Sequence, residues 1–97
     1  MIQQNENFIK FNEVRKRVMF NSNISLKSKG IFAIIFDFDS KGIPINLKTI
    51  EKLTCNGRRT ILTGINELIE QDFIIRIDER HSVTKRFAGT FYKIKTI

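Results

Sequence analysis

The sequence predicts a mainly helical α+β domain: three helices followed by a small two-stranded antiparallel hairpin. Three observations predict it. Apolar residues recur at helical spacing between residues 25 and 71. After Asp72 the apolar period falls to two, in segments rich in β-branched and aromatic residues, which is the pattern of half-buried strands. Between the last two helical stretches lies "TCNG", and Asn-Gly is among the strongest turn dipeptides.

The elements follow in order. Residues 1–7 are polar and are expected to be frayed, with one domain over residues 8–97. "FIKF" at 8–11 alternates and reads as a short strand, and "EVRKRVMF" after it carries no clear signal. The first predicted helix lies in "SNISLKSKGIFAIIFDFDS", with Ser25 as N-cap because its hydroxyl can accept an N–H of the first turn. Ile31, Ile34, Ile35 and Phe38 share one face and Phe32 and Phe36 an adjacent one, so the helix is central or sits at an interface. Gly42 suits a positive φ at its end. "IPI" at 43–45, interrupted by Pro44, reads as a small edge strand. Asn46 then caps the second helix, "LKTIEKL", with Leu47, Ile50 and Leu53 inward. The third helix runs from about Gly57 to Gln71 with Ile61, Ile65, Leu68 and Ile69 inward. Arg58, Arg59, Thr60, Thr63, Asn66 and Glu67 are left outward. "FIIRIDE" at 73–79 and "GTFYKIKT" at 89–96 form the hairpin, and "RHSVTKRFA" is its basic loop.

Composition narrows the partner. In a chain of 97 residues, 17 Lys+Arg against 10 Asp+Glu leave a net charge of +7. A basic domain this small suits a polyanion, nucleic acid before anionic membrane. Cys55 is the only cysteine, which excludes an internal disulfide and fits a reducing compartment. "MIQQNENFIK" has neither the basic nor the apolar region of a signal peptide, and the apolar run "IFAIIF" is too short to span a bilayer. The expected location is the cytoplasm. Heavy use of Asn, Lys, Ile and Phe without Trp hints at an AT-rich bacterial genome or a mobile element.

Helix, short strand, helix, turn, helix, hairpin is the order of a winged helix-turn-helix. The stretches "ISLKSKGIFAIIF", "TCNGRRTILTGINELIEQDFIIR" and "RFAGTFYKI" resemble the N-terminal winged-helix domains of phage and plasmid replication initiators and replisome organisers of low-GC bacteria. The resemblance covers residues 8–95, in pieces that are individually loose but in the right order. It departs from the pattern of that group at three places. Gly64 stands for alanine, which weakens a helix by up to about 1 kcal/mol. Asp72 stands for a turn glycine, and Asn56-Gly57 for Asp-Gly. The resemblance implies a DNA-binding module associated with replication.

Arg58 and Arg59 carry the main expectation. A helix N-terminus holds about half a positive charge, so cations in its first turn are unfavourable by up to about 1 kcal/mol unless an anion arrives from outside. In a helix-turn-helix this turn meets the major groove, where arginine can pair with guanine and free N–H groups can hold phosphate. Asn56, Thr60, Thr63 and Asn66 extend the candidate surface. Arg80, His81, Lys85 and Arg86 would form the wing, and Arg15, Lys16 and Arg17 a further phosphate contact. The bland alternative pairs the two arginines with Glu51, Asp72 or solvent. Duplex DNA is the first expected ligand. Single-stranded DNA is the second, with Phe11, Phe20, Phe87, Phe91 and Tyr92 as the candidate bases' stacking partners. A third reading is a module that docks on a replication protein such as a helicase or initiator, as monomer or homodimer. One histidine and one cysteine cannot assemble a zinc site, and no phosphate-cradling loop or Ser-His-Asp set is present. No enzymatic activity and no cofactor are therefore expected.

Overall fold

Residues 8–11, expected as a strand, belong instead to a helix. In the computed structural model, which describes residues 6–80 and 87–96, α1 spans Glu6–Met19 and takes in the whole of "FIKFNEVRKRVM". Its apolar positions Phe11, Val14 and Val18 fall at i, i+3 and i+7, one helical face, and Val14 and Val18 are buried. The ring of Phe11 meets Phe36 edge to face at 5.9 Å. Of residues 1–7, expected to be frayed, Glu6 and Asn7 open α1, and residues 1–5 lie outside the described residues.

The chain continues as α2 (Leu26–Ser40), α3 (Leu47–Leu53), α4 (Arg58–Glu70), β1 (Ile74–Arg80) and β2 (Phe87–Ile94). The protein is thus a mainly helical α+β domain with, among the described residues, four helices, not three, and one antiparallel hairpin. The first, second and third helices predicted are α2, α3 and α4. No helix among the described residues is long and apolar enough to cross a membrane.

α2 is the central element and packs against α1, α4 and β2. That explains its wide apolar surface: Ile31, Phe32 and Ile35 are buried, while Ile34, Phe36 and Phe38 are half-buried at the core's edge. Ser25 caps it as expected, accepting the Ser28 N–H at 3.2 Å. The approach of α2 to α4 is set by Gly64. A Cβ there would collide with Ile31 Cδ1, and the Ser28 hydroxyl donates to the Gly64 carbonyl at 3.2 Å. The glycine that weakens α4 in isolation is what lets a second helix lie against it.

Both long core helices end alike. After α2, Gly42 takes φ 73°, its N–H donates to Asp39 O and that of Ile43 to Phe38 O. After α4, Asp72 takes φ 70°, its N–H donates to Ile69 O and that of Phe73 to Leu68 O. Each is a Schellman closure, which satisfies two orphan carbonyls. Aspartate can occupy the left-handed position because its short polar side chain tolerates it, so glycine is dispensable at 72.

Asn46 caps α3 by accepting the Thr49 N–H at 2.9 Å. Leu53, expected inward, is 55% exposed. Each step of three residues rotates a side chain by about 60° relative to the previous one. With Ile50 centred on the core, Leu53 has turned past its edge. The expected strand at 43–45 is reduced to one bridge, in which the Tyr92 N–H donates to Ile45 O at 3.0 Å. The hairpin pairs Ile74 with Ile94, Arg76 with Tyr92 and Asp78 with Thr90, with an irregularity at Glu79/Arg80. Ile74, Tyr92 and Ile94 bury the base of one hairpin face. The Ile94 N–H donates to Asp39 Oδ2 at 2.9 Å, which ties the hairpin to the end of α2.

Candidate nucleic-acid interface

α4 has a strong inside and outside. Ile61, Gly64, Ile65 and Leu68 are buried. At about 100° per residue, the direction opposite to them is shared by Arg59, Thr63, Asn66 and Glu70, all exposed. Thr60, also exposed, lies on the edge towards α2. Arg58 and Leu62 lie on the opposite edge, towards α3 and the hairpin. The two arginines therefore diverge: Arg59 leads the outward stripe and Arg58 turns to its flank.

The first turn of α4 has no counter-anion of its own. Its N-cap is Gly57, which provides no side-chain cap, and no acid occurs in the turn. Asn56 is exposed in the preceding turn, where it accepts from Cys55 Sγ at 3.8 Å. Arg58 is partly answered by Glu51, with Nε 3.5 Å from Oε1, yet its side chain stays 70% exposed. The expectation that Glu51 pairs with an arginine is met to this extent. Such an exposed pair is worth about 0–1 kcal/mol and does not lock the guanidinium. Arg59 makes no ion pair among the described residues. Thr63 donates its hydroxyl to Arg59 O at 2.9 Å, leaving its lone pairs outward.

Beside Arg58 lies a concavity of about 540 Å³ between α3, α4 and the hairpin. It is lined by Lys48, Arg58 and Arg76, by Asn46, Thr90 and Tyr92, and by Leu47 and Leu62. Arg76 is ion-paired to Asp78 at 3.1 Å, and Thr90 donates to the same carboxylate at 2.8 Å. Burial pushes the Tyr92 phenol up, against the pull of the Arg76 and Arg58 charges. Lys48, Arg76 and Thr90 are absent from the candidates read from the sequence, and Tyr92 is expected there only as a ring for base stacking. Lys48 and Arg76 are exposed, Thr90 is half-buried and Tyr92 buried, and only the fold brings them beside Arg58.

The opposite edge of α4 is neutralised. Glu67 accepts the Ser25 N–H at 2.8 Å and the Ser25 hydroxyl at 3.3 Å. The Ser25 N–H, more than the opposing burial, holds the Glu67 carboxyl below its ordinary range, helped by the Ser25 and Ser28 hydroxyls and by Lys27.

The basic cluster on α1 does not join this surface. Arg15 is half-buried and Lys16 and Arg17 are exposed. Arg17 lines a hollow with Gln71, Asp72, Phe73 and Lys95 at the C-terminal end of α4. Over 13 residues that is about 20 Å from Arg58 along the helix. Arg80 ends β1, while His81, Lys85 and Arg86 lie outside the described residues. Of the aromatic candidates, Tyr92 is buried and Phe11 and Phe91 half-buried, whereas Phe20 is 84% exposed.

No family model matches the chain, nor does any curated protein or solved structure.

Proposed function

We propose that this chain is a winged helix-turn-helix module that binds duplex DNA, without enzymatic activity. In this reading α2, α3 and α4 are the three helices of the motif, α4 enters the major groove and the hairpin is the wing. α1 is an added helix that widens the core. One observation carries the proposal: an uncapped, acid-free helix N-terminus presents two exposed arginines, and a second cationic surface flanks it. Service in replication or regulation of a mobile element, beside a helicase or initiator, rests on the sequence resemblance and on composition, and the cytoplasmic location on the lone cysteine.

Duplex is favoured over single strand because Tyr92 is buried and Phe11 and Phe91 are half-buried, which leaves Phe20 as the one fully accessible ring among the described candidates, and bases stack only on accessible rings. The docking-module reading keeps one specific support. Ala33, Ile34, Phe38 and Leu53 line a shallow apolar hollow on the outer side of α2.

The test is a mobility-shift titration of duplex and single-stranded oligonucleotides at several salt concentrations. Duplex is expected to bind more tightly, with affinity falling steeply as salt rises. Arg58→Glu with Arg59→Glu is expected to reduce duplex binding at least about 30-fold, because it removes two contacts worth about 1–3 kcal/mol each. Unchanged duplex binding by the double variant sinks the proposal. Loss of function through Leu53→Glu instead favours a protein partner.

A further inference from the structure

From the concavity beside Arg58 we infer a seat for one backbone phosphate, and in Glu51 a built-in competitor for that phosphate. The inference rests on the duplex-binding reading and adds to it a site that reads no bases. Three cations reach the concavity from three elements: Lys48 from α3, Arg58 from α4 and Arg76 from β1. Thr90 and Tyr92, from β2, line the same space, with the Thr90 hydroxyl donated to Asp78. Arg76 and Tyr92 are directly cross-strand, so the guanidinium and the phenol are neighbours by register, not by chance side-chain placement.

The carboxylates nearby differ in what they do. Asp78 is engaged by Arg76 and by the Thr90 hydroxyl, so it braces the hairpin wall. Glu51 holds Arg58 through one contact of 3.5 Å, long for a charge-assisted hydrogen bond. Lys48 and Glu51 are three residues apart on α3 and share a face. Lys48 has no ion-pair partner among the described residues. A phosphate entering between Lys48 and Arg58 meets one uncommitted ammonium and one guanidinium on a weak tether. Phosphate geometry matches the guanidinium fork better than the single existing contact does. Binding therefore exchanges Glu51 for phosphate at Arg58, and the carboxylate sets how readily the exchange occurs. The seat positions the module on either strand's backbone without regard to sequence.

The experiment compares the full chain with Lys48→Gln, Glu51→Gln and Asp37→Asn on several unrelated duplexes across a salt series. Circular dichroism confirms the fold of each. Asp37 is the control carboxylate, because it is exposed on α2 and paired with Lys41 at 3.2 Å. Lys48→Gln is expected to weaken binding several-fold on every duplex and to reduce the salt slope by about 1. Glu51→Gln is expected to tighten binding on every duplex by more than Asp37→Asn does. Wild-type affinity and slope in Lys48→Gln overturn the seat while the wild-type chain still binds DNA. Equal gains from Glu51→Gln and Asp37→Asn overturn the competitor role, because bulk charge then accounts for both. A wild-type chain that binds no duplex overturns the seat together with the reading beneath it.

Discussion

The two ends of α4 are built to opposite specifications. At its C-terminus the backbone is closed by a Schellman motif with Asp72 at φ 70°, and Lys95 pairs with the Asp72 carboxylate at 2.6 Å, although the last turn carries Glu67 and Glu70 and no base. At its N-terminus the devices are missing or reversed. Gly57 offers no side-chain cap, no acid complements the dipole, and two cations oppose it. The core faces of both ends are equally well packed, since Ile61 and Leu68 are both buried. The contrast therefore concerns only what points outward. A backbone closed at one end, with uncapped N–H groups and two exposed cations at the other, is what the proposed function rests on more than net charge.

The largest effect expected from breaking this contrast is the reversal of charge at Arg58 and Arg59. Glutamate at both positions is expected to abolish duplex binding. The same change is expected to leave thermal stability unchanged or raise it, because acids in a first turn contribute about 0.3–1 kcal/mol. Binding and unfolding measured on one preparation separate this from a folding defect.

Next in size is Gly64→Leu. It forces a side chain into the space where Ile31 already stands and is expected to cost about 1–3 kcal/mol by chemical denaturation. A neutral result means that α2 and α4 do not approach as closely as described.

Gly57→Asp sharpens the comparison more gently. Nothing lies within 4 Å of a Cβ at this N-cap, and its φ of −76° suits any residue. The new carboxylate is expected to stabilise the fold by a few tenths of a kcal/mol, up to about 1. It is also expected to weaken duplex binding several-fold. Opposite signs in the two measurements support a trade of stability for binding at this end.

The smallest effect concerns pH. The carboxyl of Glu67 is held low chiefly by the Ser25 N–H. A depressed folded value means that its stabilisation is complete above the ordinary carboxylate range, about 4.3, and is lost as pH falls through the lowered value. Glu67→Gln is expected to flatten that acid-side loss, seen as a smaller change in denaturation midpoint below pH 4 to 5 than the wild-type chain shows.

The parts of the fold legible in the sequence are those set by neighbours in the chain. Ser25 and Asn46 cap as expected because N-capping acts over three residues. Gly42 takes its positive φ, and the change from period 3.6 to period two marks the start of the hairpin. α1 was hidden because the alternation in "FIKF" is as short as the helical stripe of Phe11, Val14 and Val18, and only packing against α2 decides between them. Leu53 was misplaced for a related reason: two turns of α3 give too little length to centre the apolar face. The candidate site was half legible. Two arginines opening an apolar-periodic helix are visible in any reading, but their divergence is a matter of helical phase relative to the buried face. Lys48, Arg76, Thr90 and Tyr92 are separated by up to 44 residues from the first to the last, and nothing local marks them as one surface. Gly64 was read as a defect because helix propensity is local, whereas its benefit comes from Ile31 and Ser28 across an interhelical contact.

The most direct test of the central claim is the salt dependence of duplex binding by the wild-type chain. If Lys48, Arg58 and Arg59 each displace a counterion, the logarithm of the association constant falls against the logarithm of salt concentration with a slope of about −3 or steeper; a flat line, or no binding at low ionic strength, contradicts the account.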